Sequence, residues 1–116
     1  MIPAAHRVMA KAQETHDTWT LELAPEDTGL AAFAPGQFAM LYAFGAGEVP
    51  ISISADLNAP GPLVHTIRAV GAVTESLCRL EPGDAVGVRG PFGTPWPLAE
   101  RTDCDVVIVA GGSGLA

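Results

Sequence analysis

Alternation of apolar and polar residues is the main pattern in the first hundred residues. Residues 18–23 place Trp19, Leu21 and Leu23 on one face and threonine and glutamate side chains on the other, as in a strand with one buried face. Weaker or shorter versions recur at 7–11, 37–42, 51–54, 63–70 and 85–89. With Pro-Gly turns at 35–36 and 82–83, this predicts an all-β fold, an antiparallel Greek-key barrel of about six strands that is small and closed.

Two segments depart from the alternating pattern. Residues 74–80 contain no glycine or proline, begin with Thr74 as a helix N-cap, and place Leu77 and Leu80 on one face, which predicts one short helix. The apolar run at 105–110 does not alternate, as in a parallel strand buried on both faces, and the glycines that follow it are typical of a nucleotide-binding turn. We therefore expect a barrel domain at residues 1–102 and the start of a truncated α/β nucleotide-binding domain at residues 103–116.

Composition limits the possible functions. The 116 residues suffice for one domain, and 48% hydrophobic with 16% charged residues is enough apolar content for a core. A net charge of −7 makes nucleic acid an improbable partner. The apolar run at 106–110 is far shorter than the roughly 20 residues of a membrane span, and no signal peptide is recognisable, so we expect a cytoplasmic protein.

Metal and hydrolytic chemistry find no support in the sequence. Cys78 and Cys104 lack metal-ligand spacing, so we expect buried structural thiols and no metal site. His6, His16 and His65 are expected to face solvent or to be merely hydrogen-bonded. No Ser/His/Asp or paired-carboxylate arrangement is recognisable.

Residues 67–74 form the first candidate binding segment. A strand that runs through Gly71 into a helix start directs backbone N–H groups toward one point, which favours an anion such as a pyrophosphate. Arg68 could add a charge-assisted contact. The alternative is an ordinary capped helix, because Glu75 in the first turn would compete with a bound phosphate.

Two further segments are candidates. Ser52 and Ser54 point the same way, opposite Ile51 and Ile53, and could hydrogen-bond a polar heterocycle or simply face water. The loop after 85–89 carries Phe92 and Trp96, which could cover a planar ligand or seal the end of the barrel.

Six motifs, taken in order, resemble the ferredoxin–NADP reductase superfamily, and the resemblance covers nearly the whole chain. Within that superfamily the chain is most similar to hydrogenase gamma subunits, to the corresponding flavoprotein component of anaerobic sulfite reductase and to the dihydroorotate dehydrogenase electron-transfer subunit. The motifs are Pro35-Gly-Gln-Phe38, Val49-Pro-Ile-Ser-Ile53, Gly71-Ala-Val-Thr74, Pro82-Gly-Asp84, Gly90-Pro-Phe-Gly93 and the terminal Val-Ala-Gly-Gly-Ser-Gly.

The resemblance implies a set of cofactor-binding residues. The family's Arg-x-Tyr-Ser flavin motif falls on residues 49–52, where only the serine is kept: Ser52 would lie near flavin N5 as the catalytic hydrogen-bond partner, Ile51 would replace the aromatic residue, and Val49 replaces the arginine. The other implied contacts are Pro50 in the same motif, His65, Thr66, Ile67 and Arg68 beside the ribityl and pyrophosphate, Gly71, Ala72, Val73 and Thr74 in the phosphate turn, and Gly111, Gly112 and Gly114 facing the nicotinamide nucleotide.

The implied function is that of a flavoprotein domain in an NAD(P)H oxidoreductase or electron-transfer subunit. FAD, in preference to FMN, would pass electrons between a nicotinamide nucleotide and an iron–sulfur protein or subunit, and the activity would belong to a longer protein. The alternative, suggested by Val49 and Ile51, is a cofactor-free barrel that serves as a structural or protein-docking module in a larger complex.

Overall fold

The computed structural model describes residues 4–25, 34, 36–54 and 63–94. These residues form six strands and one helix: β1 (Ala4–Thr15), β2 (Thr18–Pro25), β3 (Phe38–Ala43), β4 (Gly47–Ser52), β5 (Leu63–Arg68), α1 (Ala72–Cys78) and β6 (Ala85–Phe92). The predicted all-β fold of about six antiparallel strands with one short helix is thereby confirmed. The predicted domain boundary at 102–103, Cys104, the strand at 105–110 and the glycines Gly111, Gly112 and Gly114 lie outside the described residues.

The strands form one antiparallel sheet in the order β4-β3-β6-β1-β2-β5. Because β6 inserts between β1 and β3, strands far apart in sequence become neighbours, as in Greek-key connections. The two end strands, β4 and β5, approach each other without forming a ladder. Ser54 N donates to Val64 O at 2.8 Å, and His65 Nδ1 donates to Ser52 O at 3.0 Å.

We call the gap between β4 and β5 the seam. The prediction of a closed barrel is therefore corrected for the described residues: the sheet is open at the seam. Pro50 lies in β4 and has no amide hydrogen to donate, so it suits a strand at a sheet edge. Helix α1 contacts both strands that border the seam, and it also contacts β3.

The core lies on the inner face of the sheet and is completed by α1. In β3 the inward residues are Ala39, Leu41 and Ala43, and Phe38, Met40 and Tyr42 share the outer face. Small residues on β3 leave room for the larger side chains of the other strands. The buried hydrophobic residues are Val8, Leu21, Leu23, Ala39, Leu41, Ala43, Ile67, Leu77, Cys78, Val86 and Val88.

Strand β1 is longer and less regular than its sequence pattern suggests. The register between β1 and β2 shifts between Val8 and Ala10, which is the signature of a bulge. After this shift Lys11 pairs with the buried Leu21. Its ammonium lies 5.5 Å from the centre of the Trp19 ring and 3.3 Å from Glu81 Oε1. The lysine stem thus covers apolar surface while its charge reaches an acidic partner.

Helix α1 begins two residues earlier than the sequence predicts, and its N-cap is Gly71 rather than Thr74. Thr74 occupies the third helical position, and its hydroxyl accepts hydrogen bonds from the amides of Val70 and Gly71, both at 2.9 Å. The predicted cap residue therefore does satisfy backbone groups at the helix start, but it does so from inside the first turn. The buried Leu77 and Cys78 anchor the other end of α1 in the core, which confirms the expectation of a buried thiol at position 78.

Candidate functional site

Strand β4 presents two different faces at the seam. Pro50 and Ser52 are exposed, whereas Val49 and Ile51 are half-buried and pack against the core. The Ser52 hydroxyl is therefore available to a bound molecule, while the Ser52 carbonyl is occupied by the His65 ring. Val49 and Ile51 offer apolar surface at the edge of the seam and no charge.

Strand β5 also divides the predicted contacts between two faces. His65 and Ile67 are completely buried, so neither side chain is open to a molecule outside the core. Thr66 and Arg68 lie on the opposite face, where Thr66 Oγ1 is 3.0 Å from Thr20 Oγ1. Of this predicted group, only Thr66 and Arg68 offer side chains to the surface, and His65 and Ile67 support the strand from behind.

The protonation state of His65 follows from its surroundings. Burial lowers the pKa of His65 to about 4, because a charged imidazole is poorly solvated in the core. The Ser52 carbonyl can only accept, so Nδ1 of the neutral ring carries the hydrogen and Nε2 presents a lone pair. The ring thus links β5 to β4 across the seam at neutral pH.

Polar atoms near the seam fit a polar guest. Ser54 Oγ and His65 Nε2 are buried and have no hydrogen-bond partner among the described residues. Such atoms are costly unless a water or ligand group satisfies them. Together with the exposed Ser52 hydroxyl and the half-buried Ile51, they give the seam the mixed apolar and polar character that a flavin ring requires.

The turn before α1 shows how the predicted phosphate site is built. Two of its amides, those of Val70 and Gly71, are already bonded to Thr74 Oγ1. The next amides, of Ala72 and Val73, belong to the first helical turn, whose N–H groups have no intrahelical acceptor. Gly71 and Ala72 are exposed. A phosphate at this turn would therefore contact the amides of the first turn, while Thr74 holds the preceding peptide groups in place.

Arg68 is the basic residue next to this turn, and it is engaged by Asp17 from the β1–β2 turn. Its Nε donates to Asp17 Oδ2 at 3.0 Å. This bond, together with the hydrogen bond from the Thr15 hydroxyl, holds the pKa of Asp17 below its usual value. No local pattern indicated Asp17, because the contact joins residues 51 positions apart.

A second ion pair, also missed from the sequence, lies on the outer face beside β3. Glu48 in β4 and Arg89 in β6 form two hydrogen bonds, 2.7 Å from Nη2 to Oε1 and 3.1 Å from Nε to Oε2. Hydrogen bonding to Arg89 lowers the pKa of Glu48, and the same contact raises the pKa of Arg89. The pair joins the strands on either side of β3 and so fixes β4 relative to the sheet.

Glycine at position 93 closes the predicted aromatic loop on the outer face. Its φ is +88°, and an added Cβ would lie 3.2 Å from the Phe38 ring, so a larger residue would be strained in both backbone and packing. Phe38 packs on Phe92 with ring centres 5.7 Å apart. Phe92 thus packs against β3, and Trp96 lies outside the described residues.

The described residues contain no cluster of three or more metal-binding side chains. Of the three histidines, His16 is exposed, while His6 and His65 are buried and hydrogen-bonded. No helix in the described ranges has the length and apolar character needed to cross a bilayer.

Comparison with known proteins defines the class of the fold. No model of a protein family matches the chain. Among solved structures, phthalate dioxygenase reductase superposes with a TM-score of 0.70 over 78% of this chain and 30% of that chain, at 19% identity. A cytochrome P450 reductase from Amycolatopsis gives a TM-score of 0.71 over 88% of this chain and 31% of that chain, at 25% identity. The structural neighbours are FAD-binding domains of the ferredoxin–NADP reductase family.

The particular relatives are electron-transfer subunits. The gamma subunit of sulfhydrogenase 1 from Pyrococcus furiosus is 45% identical over 94 residues, which is 78% of this chain and 32% of that protein. A probable dihydroorotate dehydrogenase B (NAD(+)) electron-transfer subunit from Methanopyrus kandleri is 40% identical over 114 residues, 98% of this chain and 41% of that protein. The resemblance stated from the motifs is confirmed. The chain spans less than half the length of these curated relatives.

Proposed function

We propose that this chain is the flavin-binding domain of an NAD(P)H-linked electron-transfer subunit, with residues 1–102 as the flavin domain and residues 103–116 as the start of a nucleotide-binding domain. The observation that carries the proposal is the open seam, where β4 with Ser52, β5 and the turn before α1 come together. Relatives whose names describe hydrogenase and electron-transfer subunits support it from an independent direction.

Each element of the seam has a distinct part in this function. Ser52 would donate or accept a hydrogen bond at the reactive edge of the flavin, and Ile51 with Pro50 would give the ring apolar contact. The first-turn amides and Arg68 would hold the phosphates, since Val49 carries no charge. Thr66 and the backbone of His65 and Ile67 would border the ribityl chain.

A bound flavin would supply the conversion between a hydride from a nicotinamide nucleotide and single electrons. The protein residues would orient the ring, exclude water and place a hydroxyl at its edge. We propose FAD in preference to FMN as the cofactor, with Gly111, Gly112 and Gly114 contacting the nicotinamide nucleotide. The electron partner would be an iron–sulfur protein or subunit.

Titration with FAD tests this proposal directly. The purified chain is expected to be yellow, or to quench FAD fluorescence with a saturating dissociation constant, because the seam offers apolar contact together with polar groups. A parallel titration with FMN separates the two flavins. A colourless chain that gives no signal with either flavin contradicts the proposal.

A serine-to-alanine change isolates the proposed role of Ser52. Ser52→Ala keeps the backbone carbonyl that binds His65, so the fold and the bound flavin should persist. The rate of flavin reduction by NADH or NADPH in the full polypeptide should change several-fold, the effect of about one hydrogen bond. Ser76→Ala on α1 is the matched control. Unchanged reduction kinetics in Ser52→Ala would exclude this role for the hydroxyl.

The second candidate is the cofactor-free docking module. The Thr74 hydroxyl already bonds the amides of Val70 and Gly71, and Phe44 is 61% exposed on the turn after β3. Under this function a pull-down would recover a partner protein while flavin analysis of the preparation found none.

A further inference from the structure

The tip of the β1–β2 hairpin is tied to the end of β5 through a single residue, Asp17. Its backbone carbonyl accepts the amide of Ala69 at 2.7 Å, and its carboxylate oxygen Oδ2 accepts Arg68 Nε at 3.0 Å. The other carboxylate oxygen accepts the hydroxyls of Thr15 and Thr18 at 3.0 and 3.2 Å. Asp17 is therefore held by its own hairpin while it holds two consecutive residues of another strand.

These two residues lie immediately before the proposed phosphate turn. Arg68 and Ala69 are fixed by Asp17, and the next two amides, of Val70 and Gly71, are fixed by Thr74. Every residue from 68 to 71 thus has a bond to a side chain or backbone group outside the segment's own strand. A segment of this kind keeps its shape before a ligand arrives, which lowers the entropic cost of binding.

The geometry of the Arg68 contact leaves part of the guanidinium group uncommitted. Asp17 takes the Nε hydrogen, and within the described part of the chain no protein acceptor bonds the two terminal nitrogens. The Arg68 side chain is 62% exposed. A guanidinium group held at Nε can still present its terminal N–H groups to a phosphate.

We propose that Asp17 is a positioning residue for phosphate recognition: it holds Arg68 by Nε and Ala69 by its amide, so that the terminal nitrogens of Arg68 meet a diphosphate at the following turn. This inference rests on the proposed flavin-binding function and adds a residue that none of the family motifs contains. Asp17 does not touch the ligand itself.

Electrostatics and positioning predict opposite outcomes for loss of the Asp17 carboxylate. Removing a negative charge near a bound diphosphate would by itself tighten binding. Removing a positioning contact would let the long Arg68 side chain sample many rotamers and would weaken binding. The direction of the change therefore separates the two effects.

The test compares FAD with riboflavin, which has no phosphate, by fluorescence titration of the full polypeptide. In Asp17→Ala the dissociation constant for FAD should rise roughly tenfold, the size of a charge-assisted contact, while that for riboflavin changes by less than about twofold. The double variant Asp17→Ala/Arg68→Gln should bind FAD no more weakly than Arg68→Gln alone, because Asp17 acts through Arg68.

Glu14→Ala is the matched control, since it removes a carboxylate from the same hairpin that accepts only the Thr20 hydroxyl, at 2.9 Å. It should leave both dissociation constants unchanged. If Asp17→Ala fails to fold, Asp17→Asn replaces it, because the amide oxygen can still accept the Thr15 and Thr18 hydroxyls while the charge on Arg68's partner is lost.

The possible failures are distinguishable. A wild-type chain that binds neither flavin overturns the proposed function and this inference with it. A wild-type chain that binds FAD, with an unchanged or lower FAD dissociation constant in the Asp17 variant, overturns this inference alone. Equal weakening for FAD and riboflavin also overturns it, because a loss that ignores the phosphates is a general effect on the fold.

Discussion

Lowering the pH from 7 to 4 is expected to reduce the free energy of unfolding by about 3 kcal/mol through His65 alone. The pKa of this ring is about 4 in the folded protein, against an ordinary value of 6.5. The unfolded chain therefore binds the proton more readily between these two pH values. Stability contributed by the neutral ring is complete above pH 6.5 and is lost progressively as the pH falls toward 4.

Urea unfolding at a series of pH values measures this effect, and His65→Gln is the informative variant. Its stability at pH 7 should be lower than wild type, because a buried, hydrogen-bonded ring is replaced. Its slope between pH 6.5 and 4 should be shallower, because the titrating group is absent. His16→Gln, at an exposed position, should keep the wild-type slope. A slope in His65→Gln equal to that of wild type would show that other groups dominate.

The second large effect is expected from Thr74→Val, which should lower the free energy of unfolding by about 2 kcal/mol. Valine keeps the shape of threonine but removes the hydroxyl that accepts the amides of Val70 and Gly71 and donates to Gly71 O. At a position only 7% exposed, water replaces that hydroxyl poorly. The change also leaves two donors of the turn without their acceptor.

Thr74→Ser is the matched control for this prediction. Serine keeps the hydroxyl and loses one methyl group, so most of the stability should return. Denaturant midpoints of the three proteins at pH 7 provide the measurement. If Thr74→Val were as stable as wild type, the two amides would be satisfied by solvent, and the turn would be less rigid than its hydrogen bonds indicate.

The strands were predictable where a single face is buried. Residues 18–23 alternate because Leu21 and Leu23 enter the core while Thr20 and Glu22 do not, and the sequence pattern records this directly. In β1 the pattern is weak because the bulge after Val8 breaks the period, and Lys11 faces the core side. A period-two pattern has no means of representing an extra residue in one strand.

The candidate site was predictable from motifs in part. The motifs located Ser52 and the turn at residues 71–74, and the fold brings their strands to one seam. The motifs did not distinguish the side chains that face the surface from those that face the core, so Thr66 and the buried His65 were grouped together. That division depends on which face of β5 packs inward, which is a property of the whole sheet.

The amino-acid sequence by itself determined the number and type of the elements, the position of the turns and the family resemblance, because these depend on local periodicity and on short motifs. Only the tertiary structure decided that the barrel is open between β4 and β5, that His65 bonds the Ser52 carbonyl, and that Asp17 engages Arg68. Those contacts join residues far apart in the chain, and their partners are set by strand order and register, which no local pattern encodes.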